Sequence, residues 1–265
     1  MKLLKDLRQA IEYGWEYLLN SGKPYNAKHW QGTKAPNPMW EAFWLSWRAP
    51  MPQTVGYAEK FTEPNQPWVD EHFRERVGKI PLNPPPSHRI WPFNQDGNEA
   101  FMADEKFDHT YPERFWPKFA PYNGSRSHLT KSRQGIRFMY GDYDDFIKKL
   151  VEDPETRQGF LPIWFPEDTG CPANIRVPCT LGYHVIIRDG FLHITYFMRS
   201  LDMVRHYQDD IYLCWKLADN IRFRLNQKGI EVELGYMAFE AVNCHVFNVD
   251  LDALKYKLKK WKSKE

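Results

Sequence analysis

In the stretch RVPCTLGYH, residues 176–184, Cys179 directly follows a proline and precedes a run of strand-forming residues. Such a thiol is either a small apolar filler or a nucleophile, and a half-buried cysteine taken by itself is more often the filler. As a nucleophile it acts through its thiolate, the form favoured by a permanent cation close by. The next residues supply a candidate cation. GYHVIIRDGFLHITYFMRS, 182–200, reads as two strands about Asp189-Gly190, a pair preferred in two-residue type I′ turns. With Arg188 opposite Phe191, the unbroken register puts Thr180 opposite Arg199 and Cys179 opposite Ser200. Opposed Cβ atoms lie about 5 Å apart, so the Arg199 guanidinium comes within reach of the sulfur or of an anion bound beside it. Strand parity sends Cys179 and His184 to opposite faces unless a bulge intervenes. Gly182 is a natural place for one, and a bulge would move the register by one residue.

The elements that must carry this hairpin can be read around it. MVRHYQDDIYLCWKLADNIRFRLNQKG places Val204, Tyr207, Ile211, Cys214, Ala218 and Ile221 at spacings of three and four and ends at Lys228-Gly229, an amphipathic helix with a glycine stop. AFEAVNCHVFNVDL, 238–251, reads as a further strand, and DYDDFIKKLVEDP, 142–154, as a short helix with an acidic start and a terminating proline. MKLLKDLRQAIEYGWEYLLN is interrupted by Asp6, Arg8, Glu12 and Glu16, so it reads as an amphipathic helix rather than a secretory signal. Residues 25–135, rich in Pro, Trp and Asn, show little periodicity and are expected to be loop-heavy, with PLNPPPSH at 81–88 a rigid connection. Strands, helices and an antiparallel hairpin together predict an α+β fold, with residues 1–265 as a single domain.

The chain of 265 residues is 42% apolar and 16% aromatic, enough for one large core. Its 36 basic and 34 acidic side chains nearly cancel, which argues against the broad basic field that grips a nucleic-acid backbone. The run KYKLKKWKSK at 255–264 reads as a solvated face. There is no run of about 18 apolar residues to span a bilayer, and the expected location is the cytoplasm. The four cysteines, Cys171, Cys179, Cys214 and Cys244, form no CxxC pair, so free thiols are expected rather than a disulfide framework or a metal site.

The run PCTLGYHVIIRDGFLHITYFMRSLDMVRHYQDD resembles the catalytic hairpin and following helix of the thymidylate synthase superfamily, whose members transfer one-carbon units to C5 of pyrimidine nucleotides. The resemblance rests on Pro178-Cys179, the Asp-Gly turn, the Arg199-Ser200-x-Asp202 motif and a base-reading position eight residues after Asp202, here Asp210. It covers about 140–250 well and the first half loosely. It implies a thymidylate synthase fold, a mixed twisted sheet flanked by helices, with one sheet face used for homodimerisation. It also implies that Cys179 adds to C6 of the pyrimidine, that Arg199 and Ser200 hold the nucleotide phosphate, and that 5,10-methylenetetrahydrofolate is the cosubstrate, without a metal. In that family a second phosphate contact comes from the other subunit. DPETRQ supplies Arg157 for it but has Gln158 where a further arginine belongs. EHFRERVG matches the general acid/base glutamate at Glu71, RIWPF the folate-site tryptophan at Trp91, and HTYPERFW the active-site tyrosine at Tyr111. Asp202 is carried over as a catalytic and folate-side residue, and Thr180 and His184 as substrate-side neighbours of the cysteine. His245 matches the ribose-binding histidine, with Phe247 where that motif has tyrosine.

Two features of the resemblance bear on base and product. Synthases acting on uracil carry asparagine at the Asp210 position and Cys-His at the nucleophile. Bacteriophage deoxycytidylate hydroxymethylases carry aspartate and Cys-Thr, as this chain does with Cys179-Thr180. An aspartate accepts from the 4-amino group of cytosine and can hold a proton at N3. Synthases also exclude water with a C-terminal segment folded over the site, whereas this chain runs into KKWKSKE soon after His245, so that lid is expected to be missing. The resulting expectation is hydroxymethylation of dCMP. Methylation of dUMP or dCMP is the alternative, and a catalytically silent nucleotide-binding homologue is the alternative of another class. The expected partners are a pyrimidine nucleoside monophosphate and a second copy of the chain.

Overall fold

Asp189 and Gly190 both take positive φ, 52° and 77°, the paired left-handed conformation of a type I′ turn that matches strand twist. The hairpin they close lies within a seven-stranded mixed sheet. In chain order its strands are β1 (Lys2–Leu3), β2 (Lys23–Tyr25), β3 (Met39–Pro50), β4 (Phe160–Pro162), β5 (Thr180–Arg188), β6 (Phe191–Asp202) and β7 (Glu233–Phe247). They are arranged β1-β3-β7-β6-β5-β4, with β2 also pairing with β3. β6 and β7 run parallel, and β3 against β7, β5 against β6 and β4 against β5 run antiparallel. The helices are α1 (Leu7–Ser21), α2 (Val55–Thr62), α3 (Trp68–Val77), α4 (Tyr111–Phe115), α5 (Tyr143–Glu152), α6 (Tyr207–Asn226) and α7 (Leu251–Lys262). This computed structural model describes residues 1–27, 29–30, 33–34, 38–93, 102–103, 105–120, 141–171 and 175–264.

A two-residue turn cannot join parallel strands, so the chain crosses from β6 to β7 through α6. α6 buries Ile211, Cys214, Ala218 and Ile221, the helical spacing seen in the sequence, and Gly229 with φ +80° follows its end. α1 is capped by Asp6, whose carboxylate accepts from the Gln9 amide at 2.8 Å, and buries Leu7, Ala10, Ile11, Trp15 and Leu18. The two helices are joined through Tyr207, whose hydroxyl donates to the Ala10 carbonyl at 2.8 Å and accepts from Trp47 Nε1 at 3.0 Å. Most of the buried apolar residues form one cluster reaching from Leu4 to Trp261. The other sheet face carries exposed Tyr236, Val242 and Phe160. All four cysteines are free thiols. Among the described residues no helix is long and apolar enough to cross a membrane.

Three expectations are corrected. The stretch 25–135 is not simply loop-heavy: MWEAFWLSWRAP forms β3, a twelve-residue strand beside β7, and α2 and α3 follow it. Residues 28, 31–32, 35–37, 94–101, 104 and 121–135 of that stretch lie outside the described residues. The last strand spans Glu233–Phe247 rather than 238–251. The basic run beyond it is not a uniformly solvated face. It forms α7, which buries Leu254 and Trp261, the latter edge-on to Trp15 at 5.3 Å and capped by the Arg8 guanidinium at 4.4 Å. Within PLNPPPSH the Asn83 side chain exchanges two hydrogen bonds of 2.9 Å with the Phe107 backbone.

Candidate active site

The β5–β6 ladder keeps the register set by its turn from Arg188–Phe191 to Gly182–Phe197, then slips so that Thr180 faces Met198. Leu181 is the extra residue, and its carbonyl accepts from the amides of Ile163 and Trp164, both at 3.0 Å. The bulge anticipated at Gly182 is therefore next to it, and it changes two neighbours. Cys179 lies beside Arg199 rather than Ser200, with the Arg199 amide donating to the Cys179 carbonyl at 2.9 Å. Thr180 points inward and is fully buried instead of facing Arg199.

Cys179 opens onto a cavity of about 600 Å³. Of the residues singled out in the sequence, Arg199, Ser200, Asp202, Asp210, His245, Trp91 and Tyr111 line the same cavity. The Arg199 guanidinium donates to the carbonyls of Pro178 (2.8 Å) and Val177 (2.9 Å), and Nη2 lies 3.9 Å from the sulfur. Burial pushes the Cys179 thiol up, against the pull of Arg199 and Arg176, with Asp210 and Asp202 adding to the rise. The nearby cation is present as expected, but in the unliganded site burial outweighs it and the sulfur stays protonated.

Asp210 sits in the first turn of α6, 7% exposed. Its carboxyl is pushed up to about 7, chiefly by burial and further by Asp209 and Asp202, while Arg76 acts in the other direction. A chain of hydroxyls runs from it to the far wall. Tyr196 donates to Asp210 at 3.4 Å, Thr180 lies 2.8 Å from Tyr196, and Tyr111 lies 2.9 Å from Thr180. Thr180 thus acts through its hydroxyl, as the link between Tyr111 and Tyr196. Asp202 accepts from the amides of Val204 and Arg205, both at 3.0 Å, which fixes the turn into α6. His245 Nδ1 is 3.4 Å from Ser200 Oγ, and its Nε2 is buried without a partner among the described residues.

Thr180 lies behind the cavity wall, and three further predicted residues are turned away from the cavity. Glu71 is 44% exposed and pairs with Arg74 at 3.2 Å. The cavity-facing side of α3 is the i, i+4, i+8 series Trp68, His72 and Arg76, and Glu71 lies about 100° round the helix from His72. His184 stays on the other sheet face despite the bulge, where Nε2 donates to the Arg157 carbonyl at 3.0 Å. Arg157 itself is exposed.

Sequence reasoning missed His72, Arg76, His109, Arg176 and His206. The spacing of Trp68, His72 and Arg76 was the available signal, since an aromatic, an imidazole and a guanidinium on one helical stripe mark a face with something to bind. Two stacked pairs line the cavity: Trp68 on His72 (5.0 Å, 14°) and Trp91 on His206 (5.1 Å, 9°). Burial lowers both imidazoles to about 4, so they are neutral aromatic surfaces near neutral pH. A second chamber of about 180 Å³ adjoins, walled by Trp68, Trp91, Phe107 and His206.

The site thus sets a half-buried cysteine and two arginines on the wall of a cavity that also holds a buried carboxyl, on a mixed sheet, and the chain is similar over part of its length to known sequences. No protein-family model matches the chain. A protein of Methanothermobacter thermautotrophicus, described only provisionally as a thymidylate synthase, is 26% identical over 147 residues, which are 51% of this chain and 63% of that protein. One of Methanosarcina acetivorans with the same provisional description is 30% identical over 112 residues, 41% of this chain and 47% of that protein. The thymidylate synthase of Bacillus phage phi3T is 23% identical over 151 residues, 55% of this chain and 52% of that protein. The chain thus spans about half to just under two thirds of the length of the relatives it matches, and over that part it is thymidylate synthase-like.

Proposed function

We propose that this chain is a folate-dependent transferase adding a one-carbon unit to C5 of a pyrimidine nucleoside monophosphate, with dCMP as substrate and a hydroxymethyl group as product. The observation that carries the proposal is the placement of Cys179, Arg199 and Asp210 around one cavity. Cys179 adds to C6 of the base. Its thiol is held protonated by burial in the free protein, so the proton must leave as substrate enters. Arg199 and Arg176 favour the charged sulfur and hold the phosphate. Ser200 and His245 contact the phosphate and the sugar, and His245 Nε2, buried without a partner among the described residues, is the atom that would donate or accept there. Asp210 accepts from the 4-amino group and, with a carboxyl near 7, can exchange a proton with that edge of the base. With Glu71 turned outward, proton handling near C5 passes to Tyr111 and the hydroxyl chain that links it to Asp210.

The residues present fit a folate. Its flat ring matches the neutral stacked faces of Trp91–His206 and Trp68–His72, and Trp91 Nε1 is buried without a partner among the described residues. When bound, 5,10-methylenetetrahydrofolate supplies the one-carbon unit. Water access is favoured by the position of α7, which packs on α1 and, among the described residues, contributes nothing to the cavity wall. The second phosphate arginine, Arg157, would be supplied by a second copy of the chain joined through the sheet face that carries exposed Phe160, Tyr236 and Val242.

A second reading, methylation of dUMP, is favoured by the thymidylate synthase name that the relatives share. Mass spectrometry after incubation with methylenetetrahydrofolate and equimolar dCMP and dUMP separates the readings. A gain of CH2O on dCMP alone is expected. A gain of CH2 on dUMP would establish the second reading, and no gain on either would leave a binding protein.

A further inference from the structure

Arg76 is a buried cation that feels the Asp210 carboxyl without being paired to it. It is 3% exposed on the cavity side of α3 and lines the cavity wall. A guanidinium stays charged at any accessible pH, and a charge removed from water is costly unless it is paired. Among the described residues Arg76 makes no ion pair. Its Nη2 lies 2.8 Å from His72 Nε2, the guanidinium stands 3.9 Å over the Tyr111 ring, and Nε is buried without a hydrogen-bond partner among the described residues.

The group is nevertheless held firmly. Trp116 Nε1 donates to the Arg76 carbonyl at 2.8 Å. His72 is clamped by its stack on Trp68 and by Ser87 Oγ at 3.3 Å from Nδ1, and the Ser87 amide in turn donates to Glu75 at 2.7 Å. A rigid donor with a free N–H, beside an aromatic ring and near a buried carboxylate, is the arrangement that reads a planar ligand. The phosphate has its own cations, Arg199 and Arg176, on the Cys179 side of the cavity. Arg76 lies instead toward Asp210 and Tyr111, where the base edge would go. Cytosine presents a 4-amino donor next to the N3 acceptor, and uracil an O4 acceptor next to N3–H. A carboxylate beside a guanidinium answers such an adjacent donor and acceptor.

We propose that Arg76 binds the polar edge of the pyrimidine ring, donating to the acceptor that adjoins the donor read by Asp210, and is a second specificity-determining residue of the site. This rests on the pyrimidine-nucleotide reading above. The test is titration calorimetry of dCMP, dUMP and deoxyribose 5-phosphate, which lacks the base, against the intact chain, Arg76→Met and Arg76→Lys. Arg76→Met is expected to weaken the better nucleotide by about 10- to 100-fold, the range for a hydrogen bond to a charged group, and to leave deoxyribose 5-phosphate unchanged. Arg76→Lys, which keeps charge but loses the planar fork, is expected to fall between. Equal nucleotide affinity in Arg76→Met and the intact chain would overturn the assignment, as would equal weakening of the sugar phosphate. If Arg76→Met fails to fold, Arg76→Lys decides by the same comparison. An intact chain that binds neither nucleotide overturns the pyrimidine reading itself, and this assignment with it.

Discussion

Arg199 meets Cys179 twice: its amide donates to the Cys179 carbonyl at 2.9 Å and its Nη2 stands 3.9 Å from the sulfur. Because Val177 and Pro178 hold the guanidinium through their carbonyls, the cation is fixed to the segment that bears Cys179 and moves with it. Placement and protonation are thus separate matters here, one set by backbone hydrogen bonds and the other by burial.

That separation fixes how the thiol should respond to pH. Burial holds Cys179 above its ordinary value of 9.0, so alkylation of the free protein by iodoacetamide is expected to be still accelerating at pH 9. Arg199→Met should slow it further at that pH. A rate plateau below pH 9 would show that the arginines outweigh burial. Cys179→Ser should lower turnover by at least about 10³-fold, as loss of a covalent nucleophile does, with dCMP affinity retained.

Asp210 carries a folded value of about 7 against an ordinary 3.8. The folded state therefore binds the extra proton between these values. The stability associated with neutral Asp210 is fully present below about pH 4 and is lost as pH rises through about 7, amounting to a few kcal/mol at about 1.4 kcal/mol per unit. Asp210→Asn cannot ionise, so its melting temperature relative to the parent chain should rise by several degrees between pH 5 and pH 8. A difference independent of pH, measured by calorimetry, would count against a buried ionisable carboxyl.

Gly182 is required by close approach. A Cβ there would meet the Phe160 ring at 2.6 Å and the Leu161 carbonyl at 2.7 Å, atoms of the neighbouring β4. Gly182→Ala should cost about 1–3 kcal/mol in urea unfolding, the range for overpacking, and should reduce activity by disturbing the bulge that sets Cys179. Unchanged stability would mean that β4 yields easily.

Trp261 anchors α7 against α1, buried to 3% and edge-on to Trp15. Trp261→Ala should cost about 3–5 kcal/mol, a loss visible in thermal melts, whereas Lys259→Ala on the exposed side should change stability by less than about 0.5 kcal/mol. Equal effects would mean that the helix is held by its charges.

How far these features could be read from sequence depends on how local their causes are. The Asp189-Gly190 turn, the pairing around it and the stripe of α6 follow from neighbours a few residues apart, and the closeness of Arg199 to Cys179 came with them. The bulge was one residue from its expected place, because β4, which receives the Leu181 carbonyl, arrives from another part of the chain. β3 was hidden for a different reason. Its buried residues are Met39, Ala42, Leu45, Trp47 and Ala49, and the alternation breaks near Trp44, which takes φ 67°. Glu71 was assigned from a motif spacing, yet which side of α3 turns inward is decided by Trp68 and Val69 packing in the core. The stripe of His72 and Arg76 carried that information without revealing what it faced.

Leu181 is the residue that the ladder does not count, since Gly182 pairs with Phe197 and Thr180 with Met198 on either side of it. Deleting it would straighten the strand while leaving every other partner in place. Deleting any residue from Gly182 to Arg188 would instead move Cys179 along Arg199 unless the bulge closed in compensation. Length changes in this hairpin are therefore unequal, and a lineage could lose the pairing of Cys179 with Arg199 through one silent-looking gap while every residue lining the cavity remained in its sequence.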